Sequence, residues 1–65
     1  MKVLLYQEFQ GQGSGKKDGL VWCVLRETDE GKRVDAHCLK ADTKEQAVIE
    51  AANLLKIEPN EIVFE

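Results

Sequence analysis

DTKEQAVIEAANLLKI, residues 42–57, is the stretch on which the fold turns. It opens with two overlapping helix-start signals. Asp42 stands three residues before Glu45 and Thr43 three before Gln46, and either pair fits a capping box in which side chains satisfy free N–H groups of the first turn. Ala47, Val48, Ala51, Ala52, Leu54 and Leu55 then recur at three- and four-residue intervals, which at about 100° per residue gathers them into one apolar stripe. Lys44, Glu45, Gln46, Glu50, Asn53 and Lys56 fill most of the remaining arc, and Ile49 projects opposite the stripe. Pro59 disfavours helical dihedrals at Glu58, so the last turn is expected near Lys56 or Ile57. The result is one amphipathic helix with a single face to bury. After it, Glu61–Glu65 alternates as a short strand, with Ile62 and Phe64 on one side and Val63 on the other.

Upstream of the helix lies a hairpin. Leu20–Glu27 is a nearly continuous apolar run, residues 28–33 (TDEGKR) carry turn residues, and Val34–Leu39 resumes the strand pattern. A tip at Glu30-Gly31 and a four-residue loop at Asp29–Lys32 both have even length, so both predict one register: Arg26 faces Asp35, Val24 faces His37, Cys23 faces Cys38 and Trp22 faces Leu39. The two faces then differ. Val21, Cys23, Leu25, Val34, Ala36 and Cys38 are compact and apolar and are expected beneath the helix. Leu20, Trp22, Val24, Arg26, Asp35, His37 and Leu39 are expected on the opposite face, for which the sequence supplies no second helix.

Further upstream, Val3, Leu5 and Phe9 alternate with Leu4, Tyr6 and Glu8 as a first strand, buried on one face and partly covered on the other. Residues 10–19 (QGQGSGKKDG) hold four of the five glycines and are expected to be a flexible loop, because little in them offsets the cost of fixing the backbone. The order is β-β-β-α-β. A right-handed crossover after the helix can place the last strand beside the first or the third. Beside the first is preferred, giving an α+β domain with a mainly antiparallel four-stranded sheet ordered 4-1-2-3 and one helix on one face. Thr43, Glu45, Ala47, Ala51, Leu55, Ile57, Glu61, Ile62 and Phe64 resemble the helix–strand half of the Jag N-terminal module, over about a third of the chain. The three preceding strands depart from that arrangement, so the resemblance implies a helix returning into a strand and carries no activity with it.

At 65 residues the chain is expected to be a single domain, 1–65, with no room for a deep pocket. A chain of this size buries only about 60% of its unfolded surface and keeps a margin of roughly 3–5 kcal/mol, so a partner or a self-dimer would add stability. The net charge of −3 disfavours general polyanion binding, which needs clustered cations. The apolar run near Met1 is too brief for a secretory leader, and no stretch is long enough to span a membrane. A cytoplasmic chain with two reduced thiols is the expectation.

Candidate chemistry is thin. The loop G-Q-G-S-G-K-K lacks the spacing of a phosphate-binding P-loop, with Gln10 and Lys17 where a glycine and a hydroxyl residue belong, and a strand follows it. Cys23, His37 and Cys38 do not make a metal site, because adjacent strand residues point to opposite faces and a fourth ligand is missing. A Cys23–Cys38 disulfide is geometrically feasible, but two buried thiols are the expected state. Asp35 and His37 share a face without a nucleophile, so no catalysis, cofactor or metal is expected. The better candidate is an apolar patch of Trp22, Leu20, Val24 and Leu39, with Tyr6 or Leu4, rimmed by Arg26, Asp35 and His37, unless side chains or the glycine-rich loop lie across it. It suggests a small non-catalytic module that binds a protein partner or itself through the open sheet face or an edge strand. The alternative is an RNA- or single-stranded nucleic-acid-binding domain, with Trp22 and Tyr6 stacking on bases, Lys16 and Lys17 touching phosphates, and a local basic strip of Lys2, Arg26, Lys32, Arg33 and Lys40.

Overall fold

A computed structural model describes residues 1–15 and 18–64. The strands are β1 (Lys2–Phe9), β2 (Leu20–Glu27), β3 (Arg33–Cys38) and β4 (Ile62–Phe64), with helix α1 (Lys44–Leu55) between β3 and β4. The sheet is ordered β3-β2-β1-β4. β2 runs antiparallel to both neighbours, and β4 is parallel to β1. This is the expected α+β arrangement of a four-stranded sheet with a single helix. Among the described residues no helix is long and apolar enough to cross a membrane.

The helix starts where the capping signal predicts. Thr43 is extended, and its Oγ1 accepts from the Gln46 N–H at 3.2 Å, while the Gln46 side chain reaches back to the Asp42 N–H at 3.2 Å. A cap of this kind is worth about 1 kcal/mol. At the other end Lys56 adopts the left-handed conformation (φ 58°), and the N–H groups of Lys56 and Ile57 close on the Ala52 carbonyl. Glu58 and Glu61 then cap a single 3-10 turn at Pro59–Glu61 that delivers the chain into β4. Of the expected stripe, Ala47, Ala51 and Ala52 are buried, Val48 and Leu55 are partly buried against the core, and Leu54 stays 48% exposed. Ile49 faces solvent, as its position opposite the stripe implies.

The hairpin reaches the expected pairing by another route. Its loop is odd: the Thr28 N–H donates to the Lys32 carbonyl and Gly31 N–H to the Thr28 carbonyl, leaving Asp29, Glu30 and Gly31 at the tip. Gly31 has φ 86°, which glycine adopts without the steric cost of a Cβ. Arg26 therefore pairs with Val34 rather than Asp35. A bulge then sets Asp35 and Ala36 against Leu25, with Asp35 at φ 54°, and brings back the register in which Val24 faces His37 and Cys23 faces Cys38. The Leu39 N–H bonds the Trp22 carbonyl at 2.8 Å, so that pairing also holds. One residue lost at the loop is regained at the bulge.

The face assignment is inverted. The core beneath the helix is Val3, Leu5, Val24, Leu39, Ala41 and Ile62 against Ala47, Ala51 and Ala52, with Trp22 partly buried at its margin. Cys23, Val21 and Leu25, expected under the helix, stand on the other face with Leu4. The β1–β2 register pairs Leu4 with Leu25, Tyr6 with Cys23 and Glu8 with Val21 on that side. Volume complementarity explains the choice. A helix presenting alanines sits close to the sheet and is best filled by large side chains from below, Leu5, Val24 and Leu39, rather than by more small ones. α1 lies on the opposite side from the thiol face, yet Leu4, Val21, Cys23 and Leu25 are all buried there.

Candidate functional site

The described residues of β4 pair with Val3, Leu4 and Leu5, and β1 continues to Phe9. The Gln10 N–H donates to the Gly19 carbonyl at 2.8 Å, which makes Gln10–Gly19 a hydrogen-bonded pair of the β1–β2 ladder. By the alternation of that ladder, the backbone groups of Glu8, Tyr6 and Leu4 point to β2, and those of Gln7 and Phe9 point outward. Among the described residues no strand pairs with that outer edge from Gln7 to Phe9. Beside it, beyond the N-terminal end of the helix, a groove of about 500 Å³ is lined by Leu5, Tyr6, Gln7, Trp22, Lys44 and Phe64. The Lys44 ammonium lies 3.8 Å from the centre of the Phe64 ring, a cation–π contact at the rim.

The residues expected to form one recognition surface are dispersed. Val24 and Leu39 are core side chains under the helix and present nothing to a partner. Trp22 is partly buried and lines the groove. Tyr6 stands on the opposite face, paired with Cys23, so the two rings cannot stack together on adjacent bases. Arg26 is anchored rather than free: its Nη2 donates to the Leu55 carbonyl at 3.4 Å, at the negative end of the helix, and Nη1 lies 3.7 Å from Asp35. Asp35 and His37 are exposed on the edge strand β3. Lys16 and Lys17, the loop cations of the nucleic-acid reading, lie outside the described residues.

The thiol face gathers a second group. Cys23 Sγ lies 3.9 Å from Cys38 Sγ and 3.9 Å from Glu8 Oε2. The Gln10 amide nitrogen lies 3.4 Å from Glu8 Oε2 and 3.5 Å from Cys38 Sγ. Both thiols are free; Cys23 is buried and Cys38 exposed, where two buried thiols had been expected. Burial pushes the Cys23 thiol up to about 12, helped by its hydrogen bond to Cys38 and by the nearby Cys38 and Glu8 charges, while a bond from Tyr6 opposes the rise. Tyr6 is itself raised, chiefly by burial and then by Cys23 and Glu8. His37 pairs with Val24 on the other face and takes no part, as strand alternation implies. The sequence reading missed Glu8 and Gln10. The signal was the parity of β1, which sets Tyr6 and Glu8 on the face of Cys23 once the β1–β2 register is known.

Comparison with protein-family models, with curated proteins and with solved structures finds no match for the chain.

Proposed function

We propose that the chain is a non-catalytic protein-interaction module that accepts an extended segment of a partner protein along the outer edge of β1 from Gln7 to Phe9. The observation that carries this reading is the pairing of β1: its described partners on that side face Val3, Leu4 and Leu5, and none of the described residues pairs with its outer edge from Gln7 to Phe9. Gln7 and Phe9 therefore offer outward backbone donors and acceptors where a guest strand would lie, the main-chain basis of strand addition. The adjoining groove supplies selectivity. Trp22 and Phe64 form apolar walls and Lys44 a cationic rim, which suits a guest with a large apolar side chain followed by an acidic one. The other sheet edge, β3, suits a guest less well, because Arg33, Asp35 and His37 and the bulge at Asp35 are features that blunt an edge.

Panning a random-peptide display library against the whole chain is the test. Enriched peptides are expected to move the amide resonances of Gln7 and Phe9 and the Trp22 indole signal, and to bind at least about tenfold more weakly to Trp22→Ala. A library that yields no binder, or binders whose shifts map to another surface, overturns the reading. Sedimentation across a concentration series shows whether the guest strand comes from a second copy.

A further inference from the structure

The donors on the thiol face have the spacing of a coordination shell. Two thiolates about 2.3 Å from one ion at tetrahedral angles stand about 3.8 Å apart, and a thiolate and a carboxylate oxygen about 3.6 Å apart. The observed separations are 3.9 Å for Cys23–Cys38 and 3.9 Å for Cys23–Glu8, and the donor atoms of Glu8, Cys23 and Cys38 all lie within 4.8 Å of one another. We propose that Glu8, Cys23 and Cys38 form a site for a zinc-class divalent cation, with the Gln10 amide closing the fourth position through its oxygen.

Each part follows from the sheet. Because Trp22 and Leu39 are a hydrogen-bonded pair, Cys23 and Cys38 are a non-hydrogen-bonded pair, the position at which facing side chains approach most closely. Glu8 sits on the neighbouring strand one pleat along from Tyr6, the direct partner of Cys23. Gln10 follows at the end of β1, its amide in contact with both Glu8 and Cys38. A half-turn of that amide exchanges nitrogen for oxygen at the same place. The turned amide would face a carboxylate and a thiolate with its own negative end, an arrangement favourable only around a cation. Cys38 and Glu8 are exposed and give an ion access, while buried Cys23 anchors it. Tyr6, the direct cross-strand partner of Cys23, would serve as an outer partner of that ligand. Two sulfurs select a thiophilic ion over magnesium or calcium, and the carboxylate favours a divalent ion over copper(I). On binding, two S–H bonds break, two metal–sulfur bonds form, and two protons pass to the buffer.

Cobalt(II) is the probe, titrated into the reduced, chelator-stripped full chain and then displaced by zinc. One equivalent is expected to give tetrahedral d–d bands with a sulfur-to-metal charge-transfer band. Cys38→Ser is expected to weaken binding about 100-fold and Glu8→Ala about tenfold, with His37→Ala unchanged. Both ligand changes fall on exposed side chains, and circular dichroism in chelator checks that each variant folds. Zinc is also expected to protect both wild-type thiols from alkylation. An octahedral spectrum without charge transfer, affinity indifferent to Cys38→Ser, or thiols that zinc leaves open to alkylation would each overturn the site.

Discussion

Val24 and Cys23 are neighbours in β2 and almost equally removed from solvent, at 0% and 1% exposure, but by different means. Val24 lies beneath a second layer, between Leu5, Leu39 and the alanines of α1. Cys23 lies on the face away from α1, with its cross-strand partner Tyr6 beside it and Cys38 and Glu8 in contact. In a small domain a buried residue therefore does not identify the face that carries the second layer. The covered face is built of carbon, and its energy is that of packing. The other face brings Glu8, Tyr6 and Cys38 against Cys23, and so it is where polar chemistry collects.

The sharpest way to break this contrast is to empty the packed face. Leu5→Ala removes a side chain buried at the centre of the helix–sheet interface and is expected to cost about 3 kcal/mol, most of the margin of so small a domain. Loss of a cooperative melt at room temperature checks it. Thr43→Ala loosens the helical layer at its start and is expected to cost about 1 kcal/mol, read as a lower urea midpoint with an unchanged slope.

The thiol face is expected to answer to pH instead. The folded value of Cys23 lies at about 12, above the 9.0 of a free thiol. Its contribution to stability is therefore complete below pH 9, where folded and unfolded thiols are both protonated. It declines from there, because the unfolded thiol ionises first, and is lost once pH has passed 12. Denaturation of the chelated protein across this range should show a slope that Cys23→Ala reduces, with Tyr6, also raised, supplying a remainder of the same sign. A slope identical in the variant would mean that Cys23 is not held protonated. The smallest effect is expected at the bulge. Arg26 and Asp35 are partly exposed, so Asp35→Asn should cost at most about 0.5 kcal/mol, and less as salt is added.

The helix and its limits were legible in residues 42–57, because capping and periodicity are local. The strand order was legible because a single crossover has few places to go. The pairing of Cys23 with Cys38 was inferred from an even loop, whereas it arises from an odd loop and a compensating bulge. Asp35 accepts φ 54° because its short polar side chain tolerates the left-handed region, a preference too weak to announce a bulge in advance. The groove beside Trp22 was out of reach, since it depends on the register that sets Phe64 of β4 beside Leu5. The Glu8–Cys23–Cys38 group was equally hidden, since its members lie on three strands and meet only through two registers.

What the chain determined alone was a set of periods: a helix with one apolar stripe, strands with alternating faces, and turns between them. It did not determine which face the helix covers, because Leu20–Leu25 is apolar on both sides and alternation is symmetric between them. That choice belonged to the assembled structure. The alanine face of the helix settles closest onto the large side chains, leaving Trp22 at the margin of the core and the thiols on the far side.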